Sequence, residues 1–186
     1  RVYADYIQTL GTNPSLIHSL ENIPFLPIEL FKYHPVYCGS DTPEIIFESS
    51  GTTGMDPGKH LIAKLSMYEH SFRSCFRMFY RDPGEICILA LLPSYLERGK
   101  SSLVYLMNDL LHSSLHPDSG FYLNNLSALS QILSKRVDDG FPTILLGVSF
   151  ALLELAEKYP QPLSENIQII ETGGMKGRRK ELTRQE

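Results

Sequence analysis

The stretch EICILALLP, residues 85–93, constrains the fold more than any other part of the sequence, because seven consecutive residues in it are apolar. A strand with one face in water alternates apolar with polar residues, whereas a strand covered on both faces is apolar along its whole length. Such strands belong to parallel sheets with helices packed on their faces. The stretch therefore predicts a buried strand of a parallel sheet.

Segments of strand and helix character alternate along much of the chain. Further strands are predicted in EIIF at 44–47, HLIAKL at 60–65, TILLGV at 143–148 and IQIIETGG from 167 into a glycine turn. Helices are predicted at 66–80, 101–113, 125–139 and 149–159, and Ser66 and Glu69 have the spacing of a capping box. This alternation predicts an α/β fold with a largely parallel sheet flanked by helices.

The two ends of the chain differ from this pattern. Residues 1–40 carry prolines at positions 14, 24, 27 and 35, which predicts an irregular segment with only short helices. Residues 41–186 form the predicted α/β nucleotide-binding domain. The last predicted helix, in RRKELTRQE, is highly charged and has no apolar stripe. We therefore expect this domain to be incomplete at its C-terminus and the protein to continue beyond Glu186.

Composition excludes some classes of partner. The net charge of −4 argues against binding to nucleic acid, which favours a basic surface. No apolar run approaches the roughly 20 residues that cross a bilayer, so no membrane span is predicted.

Cysteines and histidines give no sign of a metal site. Cys38, Cys75 and Cys87 form no CxxC pair, which predicts free, buried thiols in a reducing, cytoplasmic compartment. His112 and His116 are four residues apart near Asp118, but a third ligand with suitable spacing is missing. We expect both histidines to be solvated at the surface, and we predict no metal ligands.

The stretch FESSGTTGMDPGKHLI, residues 47–62, raises the question of a phosphate site. A Walker P-loop has a Gly-Lys pair followed by Ser or Thr, and a first glycine five positions before the glycine of that pair. Here His60 follows Lys59, and Thr53 stands where the first glycine should be. What remains is a loop of small residues rich in hydroxyl groups and glycine, which can wrap a polyphosphate. Its members are Ser49, Ser50, Gly51, Thr52, Thr53 and Gly54, with Lys59 as a possible positive charge. A polar hairpin loop between two strands explains the same residues.

Five segments in order resemble a known family. SSGTTG is similar to the phosphate-binding loop of adenylate-forming enzymes, which include acyl-CoA synthetases, luciferase and peptide-synthetase adenylation domains. Together with LPIELFK, LALLPSYLERGKSSLVYLM, LLGVSFALLELA and ETGGMKGRR, it resembles the LuxE-type acyl-protein synthetase family from Leu26 to Arg179. The resemblance implies the N-terminal part of an adenylate-forming enzyme fold.

The resemblance also implies an activity. The protein would use ATP and Mg²⁺ to activate a carboxylic acid, with a fatty acid favoured, as an acyl-adenylate. The acyl group would then pass to a thiol or another acceptor, with a partner protein as acyl acceptor or donor.

Specific residues follow from the same resemblance. Gly173 and Gly174 would lie against the nucleotide, with Glu171 and Arg178 as nearby polar groups. The segments that border the acyl pocket in relatives supply Tyr95, which stands where many relatives have histidine, and Gly147, Phe150 and Met175. Core packing explains Phe150 equally well.

The superfamily's later motifs do not occur in this sequence. They include a threonine–glutamate pair, a ribose-binding aspartate and a C-terminal lysine, so the catalytic residues are unknown. We expect the chain alone to be inactive or nearly so. The alternative is a non-catalytic α/β module that binds a nucleotide or a partner through an inherited phosphate loop.

Overall fold

The computed structural model describes residues 1–49, 57–92 and 99–173. The chain divides into two compact units, Arg1–Tyr68 and Glu69–Glu186. The division falls further along the chain than the predicted boundary at residue 40, because the first unit includes the strand pair that follows the irregular segment.

The first unit contains short elements and little core. Its elements are α1 (Val2–Thr9), 3-10 turns at Pro14–Leu16 and Leu20–Asn22, α2 (Leu30–Tyr33), β1 (Ile45–Glu48) and β2 (Lys59–Ile62). The strands β1 and β2 pair antiparallel. Phe47 is buried, and its ring packs on that of Tyr68 at 5.2 Å between centroids. No residue among 1–44 is buried.

The second unit is built on a four-stranded parallel sheet in the order β4-β3-β5-β6. Its strands are β3 (Cys87–Leu91), β4 (Gly120–Phe121), β5 (Thr143–Gly147) and β6 (Ile167–Glu171). Every residue of β3 and β5 is buried, as the apolar run at 85–93 predicts. The α/β class with a parallel sheet flanked by helices is confirmed.

Four helices accompany this sheet: α3 (Leu65–Phe79), α4 (Ser102–Ser113), α5 (Leu126–Asp139) and α6 (Ser149–Lys158). Local sequence sets several of their ends. Ser101 and Asn125 cap α4 and α5 by accepting backbone N–H bonds, as expected of such residues at this position. Gly140 ends α5 with a φ of 67°, a conformation that glycine adopts without a Cβ penalty. Within the described ranges, no helix is long and apolar enough to cross a membrane.

The predicted capping box of α3 is wrong. The helix begins at Leu65, so Ser66 lies inside the first turn and cannot be the N-cap residue. Glu69 instead accepts a hydrogen bond from the Tyr105 hydroxyl of α4. Arg73 extends this α3–α4 contact, because its Nε donates to Asp109 at 2.9 Å.

The cysteines are free, as predicted, but only one is buried. Cys87 lies in β3 with no exposed surface, whereas Cys38 and Cys75 are exposed. The prediction of burial was therefore wrong for two of the three. Cys75 lies on α3 two positions from the half-buried Arg73, and a helix that covers a core on one side exposes its other side.

A core mutation tests the importance of the central strands. Leu89 has no exposed surface and Leu115, in the connection from α4 to β4, is 84% exposed. We expect Leu89→Ala to lower the free energy of unfolding by about 2–5 kcal/mol, because it leaves a cavity in the core. The matched change Leu115→Ala should cost under about 0.5 kcal/mol. Urea unfolding measures both, and equal losses would contradict this assignment of the core.

Candidate functional site

The sheet order points to one edge as the place for a ligand. The chain leaves β3 through α4 and reaches β4 on one side, then returns through α5 to β5 on the other side of β3. From β5 the chain continues through α6 to β6, which lies on the side of β5 away from β3. The connections after β3 and β5 therefore run in opposite directions along the sheet. In open α/β sheets, ligands bind at the carboxyl ends of the strands where the connections diverge in this way. We call the ends of β3, β5 and β6 and the residues that follow them the carboxyl edge.

Three of the predicted site residues meet at the carboxyl edge. Gly147 ends β5, Phe150 lies in the first turn of α6, and Gly173 follows the end of β6. The parallel register pairs Gly147 with Glu171, and the N–H of Thr172 donates to the carbonyl oxygen of Gly147 at 3.0 Å. Residues predicted from separate segments of the chain are thus neighbours in the fold.

The other predicted residues of this group, Tyr95, Gly174 and Met175, lie outside the described residues, as does Arg178. Their predicted roles beside the nucleotide and in the acyl pocket stay predictions.

Gly147 and Phe150 have evident packing roles. A Cβ added at Gly147 would lie 2.9 Å from both the Leu91 Cβ and the Leu152 Cγ, so only glycine fits without movement of its neighbours. Phe150 is buried in the hydrophobic core of the unit. Both positions are therefore explained by the core, and their predicted contact with a substrate stays a prediction.

Gly173 is different. Its φ of 74° lies in the left-handed region, and a Cβ added there would have no atom of the described residues within 4 Å, its chain neighbours aside. The glycine is required by backbone conformation and not by neighbouring side chains. A backbone without a side chain at an exposed position leaves room for a ligand to approach closely.

A polar pair lies beside these glycines. The hydroxyl of Ser149, which is 9% exposed, donates to Glu171 Oε1. Among the described residues, no side chain caps the N-terminus of α6. The bond to Ser149 holds the carboxylate of Glu171 beside this helix start, where the helix dipole favours a negative group. Its oxygens can accept hydrogen bonds from a ligand. This pair suits an amine or hydroxyl group better than a phosphate, which the negative charge of Glu171 would repel.

Sequence reasoning found Glu171 as a polar residue beside Gly173 but missed Ser149. The sequence signal that could have found Ser149 is its place at the start of a helix that directly follows a buried strand. At that position Ser149 sits at the carboxyl end of a parallel strand, where side chains face the ligand edge.

The loop from Ser49 to Gly58 belongs to the first unit, and its base is closed by two hydrogen bonds. The N–H of Ser49 donates to the Gly58 carbonyl oxygen at 2.9 Å, and the N–H of Gly58 donates to Ser49 Oγ at 2.8 Å. The predicted hairpin is thus correct for the backbone at Ser49 and Gly58, where the loop begins and ends. A hairpin of this kind is compatible with phosphate binding at its tip, which stays a prediction. Ser50, Gly51, Thr52, Thr53 and Gly54 lie outside the described residues.

Lys59 lies directly opposite Glu48 in the β1–β2 ladder. Opposite charges at facing positions of an antiparallel pair are favourable. Strand pairing is therefore one sufficient reason for a lysine here, and Lys59 is also exposed. Its predicted contact with phosphate stays a prediction.

Cys87 is unsuited to act as a nucleophile in this conformation. Burial raises the pKa of its thiol to about 11, so the reactive thiolate is scarce at neutral pH. Among the residues that the structure describes, no three His, Cys, Asp or Glu side chains are arranged to hold a metal ion.

Comparisons of the chain with protein-family models, curated proteins and solved structures find no match. The α/β assignment therefore rests on the strand order and register themselves.

A methyl group at Gly147 tests the packing at the carboxyl edge. We expect Gly147→Ala to lower the free energy of unfolding by about 1–3 kcal/mol, because the new Cβ forces Leu91 or Leu152 to move. The double variant Gly147→Ala/Leu152→Ala should lose less than the sum of its single variants, since it restores space. Urea unfolding of the four proteins gives the coupling energy. Strict additivity would show that the two positions do not compete for the same space.

Proposed function

We propose that the protein activates a carboxylic acid with ATP as an acyl-adenylate and passes the acyl group to a thiol or another acceptor. The favoured acid is a fatty acid, and the family is that of LuxE-type acyl-protein synthetases. In this proposal residues 41–186 belong to the N-terminal part of an adenylate-forming fold.

The observation that supports the proposal best is the gathering of predicted residues at the carboxyl edge. The segments LLGVSFALLELA and ETGGMKGRR carry the resemblance but are separated in sequence, and Gly147 and Glu171 are paired in adjacent strands. These segments therefore meet at the edge where α/β sheets bind ligands, as the proposal requires.

The chemistry of the carboxyl edge fits the proposed nucleotide. Gly173 offers an exposed backbone without a side chain, which allows close contact with a flat base. Glu171 and Ser149 supply oxygens that can accept hydrogen bonds from the amine of adenine. We assign the base to this edge.

The loop of the hairpin has the composition that the phosphates require. In the proposed reaction a carboxylate oxygen of the acid attacks the α-phosphorus of ATP, the bond to the bridging oxygen breaks, and pyrophosphate leaves with the electron pair. Negative charge grows on the leaving group, and N–H and O–H donors stabilise it. Ser50, Thr52 and Thr53 carry such hydroxyl groups. Mg²⁺ would be bound to the phosphates of ATP and would neutralise part of their charge.

Pyrophosphate exchange tests the proposed reaction. The protein at its full natural length, supplied with Mg²⁺, ATP, labelled pyrophosphate and a panel of fatty and aryl acids, should form labelled ATP with at least one acid. Thr52→Ala should lower the exchange rate by roughly tenfold or more, because a donor to the leaving group is lost. Ser40→Ala removes an exposed hydroxyl group elsewhere in the first unit and should leave the rate unchanged.

The absence of exchange with every acid, in a folded protein, would overturn the proposed activity. ATP binding without exchange would favour the alternative, a nucleotide-binding module without catalysis. Equal exchange rates in Thr52→Ala and the wild type would contradict the proposed contact between the loop and the phosphates.

A second variant tests the carboxyl edge. Gly173→Ala places a methyl group where no described residue lies within 4 Å, so the expected structural cost is that of the left-handed backbone, about 1–2 kcal/mol. If the base lies against Gly173, the Kd for ATP should rise by roughly tenfold or more, because the methyl group holds the base away. Calorimetry of ATP binding measures the change, with Gly140→Ala as a control whose φ of 67° is also left-handed and which has no predicted ligand. An equal effect of both variants would contradict a contact at Gly173.

A further inference from the structure

The amino end of the sheet is closed by a short connection that lies opposite the candidate site. Residues 114–119 join α4 to β4, and their serines bind the start of β3. The hydroxyl of Ser114 donates to the Ile86 carbonyl oxygen at 2.7 Å, and the N–H of Ile88 donates to Ser119 Oγ at 2.9 Å. We call residues 114–121, which include β4, the latch segment.

His116 is the centre of the latch segment, and it is not the solvated histidine that the sequence predicts. Its ring packs on Phe141 with 4.7 Å between ring centroids. The N–H of Asp118 points at His116 Nδ1 at 3.1 Å, and Arg136 Nη1 points at His116 Nε2. Both ring nitrogens therefore face hydrogen-bond donors. A neutral ring can accept at one nitrogen, whereas a protonated ring can accept at neither.

Arg136 fixes a positive charge beside this ring. Its side chain is 2% exposed, and its Nη2 lies 2.5 Å from Asp139 Oδ2 and 3.7 Å from Asp118 Oδ2. Within the described part of the chain, its Nε has no hydrogen-bond partner. An arginine stays charged at every pH at which a protein is folded. A second positive charge on His116 would therefore be repelled at close range.

The charges around His116 are balanced only while its ring is neutral. The latch segment contributes Asp118, and α5 contributes Asp139, Lys135 and Arg136, which gives two carboxylates and two cations. From β3 the neutral thiol of Cys87 contacts Arg136 and Ser119, and the Tyr122 hydroxyl donates to the Asp118 carbonyl oxygen. Protonation of His116 adds an uncompensated positive charge to this cluster.

From this geometry we propose that the latch segment is a pH-sensitive switch. When His116 takes up a proton, its one accepting nitrogen is lost, the ring is repelled by Arg136, and residues 114–121 are released from the start of β3. The opening uncovers Cys87 and the amino end of the central strand, without a change at the carboxyl edge.

The direction of the pH dependence follows from linkage. Burial, and then the charge of Arg136, lower the pKa of His116 below its ordinary value of 6.5. The released state therefore binds more protons than the closed state as the pH falls through 6.5. The closed state is fully favoured above this value, and the open fraction grows by up to about tenfold per pH unit below it. Asp118 titrates in a lower range, because its bond to Lys135 lowers the pKa of its carboxyl.

Labelling of Cys87 tests the switch. In a Cys38→Ser/Cys75→Ser background, Cys87 is the remaining thiol of the chain, and it is fully buried in the closed state. The rate of its reaction with dithiodipyridine is divided by the rate of a free thiol peptide at the same pH. This corrected labelling rate should rise as the pH falls from 7.5 to 5.0. His116→Gln, and as a second variant His116→Asn, should remove this rise. His112→Gln should keep it, because His112 is an exposed histidine of α4.

Two results would overturn the proposal. One is a corrected labelling rate that does not change with pH in the background protein, or that changes equally in His112→Gln and in the His116 variants. The other comes from NMR titration of the unsubstituted chain, where the ring of His116 must titrate below 6.5. A midpoint at or above that value would show that the cluster accepts the proton without opening, even if neither His116 variant folds.

Discussion

The parallel pairing of β3 with β5 is the contact on which the rest of the second unit depends. Each residue of both strands is buried, and five register pairs join Cys87–Leu91 to Thr143–Gly147. At roughly 1.5–3 kcal/mol for a fully buried large apolar side chain, this contact outweighs the surface ion pairs, which contribute about 0–1 kcal/mol each. The helices α4, α5 and α6 add residues to the same core.

Burial of this pair leaves the two ends of the sheet as the places where the unit can present polar groups. At the carboxyl edge the pairing brings Gly147 beside Glu171 and leaves Ser149 at the start of a helix. At the amino end it brings the latch segment against Arg136. The two ends differ in chemistry, because the first offers acceptor oxygens on an open surface and the second packs a charged cluster against a histidine.

Much of the second unit could be predicted from the sequence because its signals are local. The apolar run at 85–93 and the helical spacing of apolar residues in α5 need no knowledge of distant partners. Gly140 ends α5 because glycine adopts a left-handed backbone conformation without a Cβ penalty, and this property is local to the residue. Part of the candidate site was also predicted, since Gly147, Gly173 and Glu171 all follow from the family resemblance.

The features that sequence analysis missed depend on contacts between distant segments. Arg136 is an ordinary helix residue in sequence, and its burial becomes evident only when His116 and Phe141 close over it. Ser149 is a helix-start serine until the register of β6 brings Glu171 to it. The partner of the Glu69 carboxylate was missed for the same reason, because it is the Tyr105 hydroxyl of another helix. In each case a tertiary contact overrides the local pattern.

The close approach of Leu91, Gly147 and Leu152 also restricts how this sequence can change over time. A side chain at position 147 requires the space that two leucines now fill, so a substitution there is accepted only after one of those leucines has become smaller. The order of changes therefore matters as well as their identity. Related chains with alanine at this position should carry a smaller residue at 91 or 152, and positions 91, 147 and 152 should vary together.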